Sequence, residues 1–369
     1  MKRIYVSVSN DIYNDNRVLR TCRSLVVAGR EVFIAGKKTS LSPAFEDNDL
    51  HIHRFQVWFK KNFLYYAELN IRLFFYLLFR KQDMLWANDL DTLLPNYLVS
   101  RIKRIPLIYD SHELFCYVPE LKENSFQQRV WLFLEKKTVP HLRYVITVCD
   151  PIKQYFLQKY NVKAEVVRNI PDCNTVKTQK KTYPLAEKYI VWQGAANMDR
   201  GLEELTEAMQ YVDAKLVILG RGDIIPEIEK LIKKYSLQNK VFLKGRVTFE
   251  QMMQYTANAT LGISIDKPTN RNYAVSLPNK IFEYIHAATP VLYSPLAEIK
   301  NIEMRYRTGV EIISYNALEL AKQINDIIND NALLQQMSDN CMLAARELSW
   351  DNEQKIIHNI LLRADRRQP

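Results

Sequence analysis

Short apolar runs alternate with amphipathic stretches along nearly the whole chain, and this alternation restricts the possible fold more than any other feature. Short continuous apolar runs are typical of strands buried on both faces, and apolar residues at a spacing of three or four indicate the helices between them. Repeated βαβ units produce a parallel sheet covered by helices on both sides. The sequence therefore predicts the α/β class with doubly wound sheets.

The alternation runs through the first half of the chain and then starts again. The first half contains predicted strands at residues 3–8, 31–35, 84–87, 107–110, 144–148 and 164–167, with helices at 17–28, 92–102, 126–139 and 151–159. The second half contains strands at 189–192, 215–219, 241–244, 261–264 and 291–293, with helices at 202–211, 226–235, 249–257, 280–287, 317–328 and 351–364. A polar stretch at residues 172–184 is the predicted linker. We therefore expect domains at residues 1–172 and 185–348, followed by a C-terminal helix at 349–369.

The charge and the cysteines restrict the partners and the compartment. A net charge of +10 favours anionic partners, namely nucleotide phosphates, nucleic acid or an acidic membrane surface. No helix-turn-helix, aromatic RNA-binding motif or zinc finger supports nucleic acid. The five cysteines are scattered and form no C-x-x-C pair, which favours reduced thiols over a zinc site or disulfides. The N-terminal residues do not resemble a signal peptide. We expect a cytoplasmic protein.

Glycines cluster in the second half, mostly where predicted strands end. Six of the nine glycines lie between residues 194 and 262: Gly194, Gly201, Gly220, Gly222, Gly245 and Gly262. Glycine after a strand lets the backbone approach a ligand, and the following helix N-terminus favours an anion. Neither G-x-G-x-x-G nor a Walker A motif is present. The clustering predicts a phosphate-bearing ligand, and ordinary turn glycines are the alternative.

Two cations precede or begin predicted helices of the second half. Arg200 comes just before the helix at Leu202, where a guanidinium and backbone N–H groups could bind a diphosphate. Pro278 and Asn279 form another helix start with Lys280 in its first turn, and Glu283 follows one turn later. The carboxylate of Glu283 could accept hydrogen bonds from ribose hydroxyls. The alternatives are a surface arginine and an exposed Lys280–Glu283 ion pair.

Polar residues also follow two strands of the first half. His112 comes after the apolar strand that ends near Asp110, so it is either a site residue or an exposed turn histidine. Asp89 and Asp91 have the spacing of a metal-binding Asp-x-Asp pair. Since they lie in the first half, we interpret them as a helix cap, with Asp91 or Thr92 as the N-cap residue.

These motifs together resemble the retaining glycosyltransferases of family 4, which have the GT-B fold. The resemblance rests on Asp15-Asn16-Arg17-Val18 and on residues 88–92, 109–115, 167–171, 200–205, 219–222, 245–247 and 277–284. It implies two Rossmann-like domains facing a cleft, with the C-terminal helix packing back on the first. It also implies transfer of a sugar from a UDP- or GDP-linked donor to a glycan or lipid-linked acceptor, without a metal or other cofactor.

The resemblance also assigns roles to individual residues. His112 and Glu113 would lie at the reaction centre. The donor would be bound by Gly194, Arg200, Gly220, Gly245, Arg246, Val247, Pro278, Asn279, Lys280 and Glu283. Within this set, Arg200 and Lys280 would neutralise the diphosphate, the backbone at residues 245–247 would meet the nucleobase, and Glu283 would bind the ribose. The two cations would replace a metal ion.

The chain departs from the family pattern at three places. Val275 stands where the family often has a glutamate, Ala195 where it often has a basic residue, and the first loop, residues 9–15, is not rich in glycine. A nucleotide-sugar epimerase or hydrolase of the same fold is the alternative function that Val275 leaves open, and a basic nucleic-acid-binding protein is the other.

An aromatic and basic stretch in the first half suggests a membrane surface. Residues 58–66 and 71–81 interleave aromatic and aliphatic side chains with Lys60, Lys61, Arg72, Arg80 and Lys81. The uninterrupted apolar run 73–79 is too short to span a bilayer. Rings beside cations suit the headgroup boundary, so the stretch is either a peripheral membrane contact or a core helix flanked by lysines.

Overall fold

Each half of the chain is organised around a parallel sheet. The computed structural model describes residues 1–38, 42, 47–59, 62–172 and 188–366. The chain divides into two units. The first contains Met1–Asn169, Asn270–Asn272 and the residues from Asp351 onward, and the second contains Ile170–Thr269 and Tyr273–Trp350.

The first unit is built on a seven-stranded parallel sheet. Its strands are β1 (Lys2–Ser7), β2 (Arg30–Lys38), β3 (Leu50–Gln56), β4 (Met84–Asn88), β5 (Leu107–Ser111), β6 (Tyr144–Thr147) and β7 (Ala164–Val166). Its helices are α1 (Asn16–Val27), α2 (Asn62–Leu78), α3 (Leu90–Lys103), α4 (Phe126–Thr138) and α5 (Asp150–Tyr160), with 3-10 turns at Ile12–Asn14, Phe115–Tyr117 and Val139–His141. The strand order is β3-β2-β1-β4-β5-β6-β7. The order reverses between β1 and β4, where ligands of such sheets bind.

The second unit repeats this plan with six parallel strands. They are β8 (Tyr189–Gln193), β9 (Lys215–Leu219), β10 (Val241–Gly245), β11 (Leu261–Ser264), β12 (Val291–Tyr293) and β13 (Gly309–Glu311), in the order β10-β9-β8-β11-β12-β13. The helices in the second half of the chain are α6 (Leu202–Ala208), α7 (Ile225–Lys234), α8 (Phe249–Asn258), α9 (Arg271–Ala274), α10 (Asn279–His286), α11 (Ala297–Tyr306), α12 (Ala317–Asn329), α13 (Asn331–Glu347) and α14 (Trp350–Asp365), and from Asp351 onward α14 belongs to the first unit. Ile190 and Val191, successive residues of β8, belong to separate apolar clusters, because both faces of the sheet are covered. The strand order here reverses between β8 and β11.

The predicted α/β class with two doubly wound sheets is confirmed. Five elements were not predicted, namely β3, β13, α9, α11 and α13, and α2 was predicted only as the core-helix alternative for the aromatic stretch. Strand β3 carries two histidines and an arginine at the sheet edge, and β13 has only three residues, so neither shows a long apolar run. Apart from Asp172, the predicted linker lies outside the described residues.

The predicted cap of helix α3 is wrong. The helix begins at Leu90, and Asp89, the residue before it, makes no side-chain capping bond. Asp91 lies inside the first turn and is buried, and the hydroxyl of the buried Thr92 donates to the carbonyl of Asn88. The two aspartates are therefore available for roles other than capping.

Residues of α14 bond to several elements of the first unit, although the helix follows the second unit in sequence. Asp365 forms an ion pair with Lys2 at 3.0 Å, and Glu353 accepts a hydrogen bond of 2.7 Å from the backbone N–H of Arg168. Arg363 pairs with Glu165 at 2.9 Å. These bonds fix the helix to strands β1 and β7 and to the segment that follows β7.

Helix α2 is buried on one face and exposed on the other. Tyr65, Leu69, Leu73 and Leu77 are buried, at the spacing of one helical face. Phe63, Leu64, Ile71 and Phe75 are more than half exposed. Among the described residues, no helix has the length and apolar character needed to cross a bilayer. The aromatic stretch thus supplies a core helix and an exposed apolar surface at once.

Candidate functional site

The glycines of the second unit lie at the adjacent ends of three neighbouring strands. Gly245 ends β10, Gly220 follows β9 and Gly194 follows β8. The backbone N–H of Gly220 donates to the carbonyl of Gly245 at 2.8 Å, and that of Gly194 donates to the carbonyl of Leu219 at 3.0 Å. The structure therefore brings together loops that are far apart in sequence.

Gly220 is required by the contact between these loops. Its φ is +143°, and a Cβ atom there would lie 1.8 Å from the carbonyl oxygen of Gly194. Gly194 also has a positive φ of +131°. A side chain at Gly220 would separate the β8 and β9 loops, because only glycine tolerates both the dihedral angle and the approach.

Arg200 and Lys280 meet on one buried carboxylate, that of Asp266. The guanidinium of Arg200 and the ammonium of Lys280 each lie 2.9 Å from a different oxygen of this side chain. Asp266 follows β11 and is fully buried, whereas the Arg200 side chain retains 22% of its exposure. We call these three residues the Asp266 cluster. It lies at the reversal point between β8 and β11.

The Asp266 cluster has a surplus of positive charge. Burial lowers the pKa of Lys280, and the charge of Asp266 opposes that effect. The ammonium of Lys280 also lies 4.6 Å from the ring centroid of Trp192, and the guanidinium of Arg200 lies 4.3 Å from that of Tyr273. Two cations against one carboxylate leave this place suited to an anion.

Glu283 is oriented by a neighbour on β8. Its Oε2 accepts a hydrogen bond of 2.5 Å from Nε2 of Gln193, whose Oε1 accepts one of 2.6 Å from Thr256. Lys280 pairs with Asp266, so the alternative of an exposed Lys280–Glu283 ion pair is wrong. Glu283 is held half-buried beside the Gly194 loop.

The remaining predicted donor residues lie at two places. Arg246 is exposed and Val247 half-buried, directly after the end of β10. Pro278 is the N-cap residue of α10, which begins at Asn279, one residue before the predicted helix 280–287 and within the helix start predicted at Pro278 and Asn279. Since neighbouring strands lie about 4.8 Å apart, the ends of β10 and β11 are separated by about 14 Å. A ligand that contacts both ends must be extended.

In the first unit, His112 lies between two aspartates. Its Nδ1 is 3.3 Å from Asp89 and its Nε2 is 3.5 Å from Asp110, and its backbone N–H donates to Asp89 at 2.7 Å. Asp110 is in turn paired with the buried Arg17 at 2.7 Å. The ring is therefore held from both sides at the end of β5.

These neighbours keep His112 charged. Burial alone would lower the pKa of His112, but the negative charges of Asp89 and Asp110 raise it to about 9. Burial alone would raise the pKa of Asp110. The positive charges of Arg17 and His112 outweigh the effect of burial and hold that pKa well below its usual value. At neutral pH, His112 is an imidazolium.

Glu113 is held by the segment that returns to the first unit from the second half. Its Oε2 accepts a hydrogen bond of 3.0 Å from the amide of Asn272, whose Oδ1 accepts one from the backbone N–H of Leu114 at 3.0 Å. Burial and the charge of Asp89 raise the pKa of Glu113 to about 7. This carboxyl group can therefore gain or lose a proton near neutral pH.

A cavity of about 960 Å³ opens beside these residues, wholly within the first unit. Its lining includes four carboxylates and four large aromatic side chains: Asp89, Asp91, Glu113, Glu120, Phe63, Tyr66, Phe115 and Trp131. We call it the acidic cavity. Ser9 and Asn10, which follow β1, also line it, so it lies at the reversal point between β1 and β4. Within the described ranges, no group of three or more His, Cys, Asp or Glu side chains could hold a metal ion.

Comparison with known proteins agrees with this architecture. Residues 15–174 match the family model Glycosyltransferase Family 4, and residues 175–342 match Glycosyl transferases group 1. The chain is 21% identical over 264 residues to the alpha-D-kanosaminyltransferase of Streptomyces kanamyceticus, a match that covers 66% of this chain and 67% of that one. This chain is a glycosyltransferase of the GT-B type.

Solved structures share the fold of this glycosyltransferase over its whole length. Sucrose-phosphate synthase from Thermosynechococcus elongatus superposes with a TM-score of 0.83 at 16% identity, covering 100% of both chains. The HepE protein of Anabaena, solved with UDP and glucose, gives a TM-score of 0.74 at 17% identity and covers 98% of this chain and 99% of its own. None of these likenesses favours the epimerase, hydrolase or nucleic-acid alternatives.

Sequence reasoning missed several residues that organise the site of the glycosyltransferase. Asp266, Gln193 and Asp89 were not predicted as site residues, although each lies at or just after the end of a buried strand. Polar residues at such positions face the ligand side of a parallel sheet, and this signal could have identified them. Arg17 was named only within the motif at residues 15–18 and received no role, because an arginine in a first helix is usually exposed.

Proposed function

We propose that this glycosyltransferase moves a sugar from a UDP- or GDP-linked donor to a glycan or lipid-linked acceptor, with retention of the anomeric configuration and without a metal ion. The observation that carries the proposal is the Asp266 cluster, in which two cations share one buried carboxylate. A diphosphate would supply the missing negative charge.

Charge development during the reaction gives the cluster its chemical role. When the bond between C1 of the sugar and the diphosphate oxygen breaks, negative charge grows on the leaving diphosphate. Cations that are already fixed stabilise this charge without reorganisation at the moment of reaction. Arg200 and Lys280 are fixed by Asp266, so they would take the place of a metal ion. The acceptor oxygen would form the new bond to C1 on the face that the diphosphate leaves, and the proton of the acceptor hydroxyl would pass to the departing phosphate.

The rest of the donor would extend along the strand ends of the second unit. The backbone at residues 245–247 would bind the nucleobase, and Glu283, oriented by Gln193, would accept hydrogen bonds from the ribose. Gly220 and Gly194 lie between these places and leave room for the ligand's approach. HepE, which shares the fold, has been solved with UDP-glucose, and this supports a nucleotide-sugar donor here.

The donor proposal predicts ligand binding in the presence of a chelator. With EDTA and nucleotide at about 100 times its Kd, UDP or GDP should stabilise the protein by about 2.7 kcal/mol, which raises Tm by about 5–10 °C. Thermal shift with UDP, GDP and their sugars measures this, and transfer assays in EDTA test turnover. Binding or turnover that is lost in EDTA and restored by magnesium or manganese would contradict metal independence.

The exposed face of α2 supports a peripheral membrane contact on the acceptor side. Phe75 and Phe79 are 52% and 78% exposed, and their rings stack at 6.3 Å. The guanidinium of Arg80 lies 5.1 Å from the ring centroid of Tyr76. Exposed rings beside cations match the headgroup boundary of an anionic membrane, where a lipid-linked acceptor would be found.

The membrane proposal predicts salt-sensitive sedimentation. The protein should sediment with anionic vesicles at low salt and be released at high salt, because the attraction is screened over about 10 Å at 0.1 M. Replacing Lys60, Lys61, Arg80 and Lys81 by glutamine should abolish sedimentation and leave UDP binding unchanged. The control is Met342→Ser with Leu343→Ser, which removes exposed apolar groups from α13 of the second unit. No sedimentation at low salt would contradict the proposal.

A further inference from the structure

We propose that the acidic cavity is a subsite for an acceptor that carries a positively charged amino group, as an amino sugar does. The inference rests on the proposed function, since it names the acceptor of the same reaction. It starts from the unbalanced charge of the cavity, the unsatisfied carboxylate of Asp91, and the aromatic walls.

The carboxylates of the acidic cavity outnumber the cations near them. Of the four, Asp89 is next to His112, which also faces Asp110. The other three carboxyl groups of the lining belong to Asp91, Glu113 and Glu120. Lys122 is the one lysine or arginine among the lining residues described. Burial and mutual repulsion make the ionised form of these groups costly, and a bound cation would relieve that cost, whereas a phosphate would add to it. The cavity is therefore unsuited to the anionic donor and suited to a cation.

One carboxylate oxygen of Asp91 has no hydrogen-bond donor among the described residues, and a ligand could supply one. Its side chain lines the cavity, and the residue is only 4% exposed. In the part of the chain that the structure describes, its Oδ1 accepts no hydrogen bond. Burial and the charge of Asp89 raise the pKa of Asp91 to about 8, although a hydrogen bond from Ser9 works against this. An ammonium group would donate to the oxygen and stabilise the ionised carboxylate, which burial and Asp89 otherwise disfavour.

The aromatic walls favour an organic cation over an ion. The ring of Trp131 meets the rings of Phe115 and Tyr66 edge to face, with centroids 5.0 and 5.2 Å away. Such rings bind the apolar faces of sugars and attract ammonium groups. The volume of about 960 Å³ is near the upper end of ordinary ligand pockets, and the described residues offer no metal-binding group. A short amino-sugar oligosaccharide fits this combination.

The test compares two trisaccharides with the same sugar backbone, one with free amino groups and one with N-acetyl groups in their place. Isothermal titration with β-1,4-linked glucosamine trisaccharide should give a Kd about ten- to a hundredfold lower than with its N-acetylated counterpart, as expected for a charge-assisted hydrogen bond. Asp91→Asn keeps the shape of the side chain and should remove most of this preference, with little effect on the N-acetylated sugar. The control is Glu123→Gln, an exposed carboxylate on the loop before α4 that does not line the cavity.

Titration of UDP into the same samples separates the two proposals. Equal affinities for the two trisaccharides, no binding of the amine, or an unchanged preference in Asp91→Asn would each overturn the inference while UDP binding leaves the proposed function standing. Failure of the wild-type protein to bind any nucleotide would count against the proposed function. Unchanged affinity of Asp91→Asn for the N-acetylated trisaccharide shows that the first unit of the variant is folded, and unchanged UDP affinity shows the same for the second unit.

Discussion

Replacing Arg200 or Lys280 by alanine is expected to weaken nucleoside diphosphate binding by about 1.5–3 kcal/mol, roughly ten- to a hundredfold in Kd. Each side chain lies 2.9 Å from Asp266, so each would donate a charge-assisted hydrogen bond from a position that is set before the ligand arrives. Calorimetry with UDP and GDP measures the change. Arg200→Lys should recover only part of the affinity, because lysine lacks the planar fork of arginine.

The controls for this prediction separate ligand binding from folding. Lys230→Ala removes a cation from an exposed ion pair on α7 and should leave the affinity unchanged. Lys280→Ala leaves the buried Asp266 with one cation, so a lower Tm is expected. Adding Asp266→Asn to Lys280→Ala should restore part of the stability lost in that single variant without restoring binding. Wild-type affinity in both folded single variants would refute the role of the cluster.

Changing His112 to alanine should lower kcat by roughly a hundred- to a thousandfold, the usual effect of removing one preorganised donor. Nucleotide affinity should stay within a few-fold, because His112 belongs to the first unit and the Asp266 cluster to the second. Such a split is typical of an interaction that forms mainly in the transition state. Steady-state kinetics and UDP titration of the same variant measure both quantities.

The assays on His112 should be made near pH 7, where its side chain is charged. Its pKa, raised to about 9, means that the charge is present through neutral pH and is lost as the pH rises through 9. The stability that this charge contributes is complete below pH 6.5, the ordinary pKa of histidine. It is lost as the pH rises from 6.5 through 9. His358→Ala, an exposed histidine on α14, is the matched control. An equally large loss of UDP affinity in His112→Ala would assign His112 to donor binding.

The sequence was sufficient for the architecture because apolar periodicity is a local property. Strands such as β8 and β9 are continuous apolar runs, and their ends carry the glycines that drew attention to the donor side. The short edge strand β13 and the polar edge strand β3 escaped prediction, because edge strands need fewer apolar residues. The prediction that Asp91 caps helix α3 was wrong, because a capping aspartate and a site aspartate look alike in sequence.

Which residues share a site was decided by the tertiary structure. The sequence alone determined the α/β class and the doubly wound pattern. It also singled out Arg200 and Lys280 as candidate diphosphate-binding residues. It did not reveal that both cations bind Asp266, or that Asp89 and Asp110 hold His112 from opposite sides. The acidic cavity likewise joins residues after β1, β4 and β5. Charge balance, burial and pKa depend on distances between strand ends, and only the packing of the sheets sets those distances.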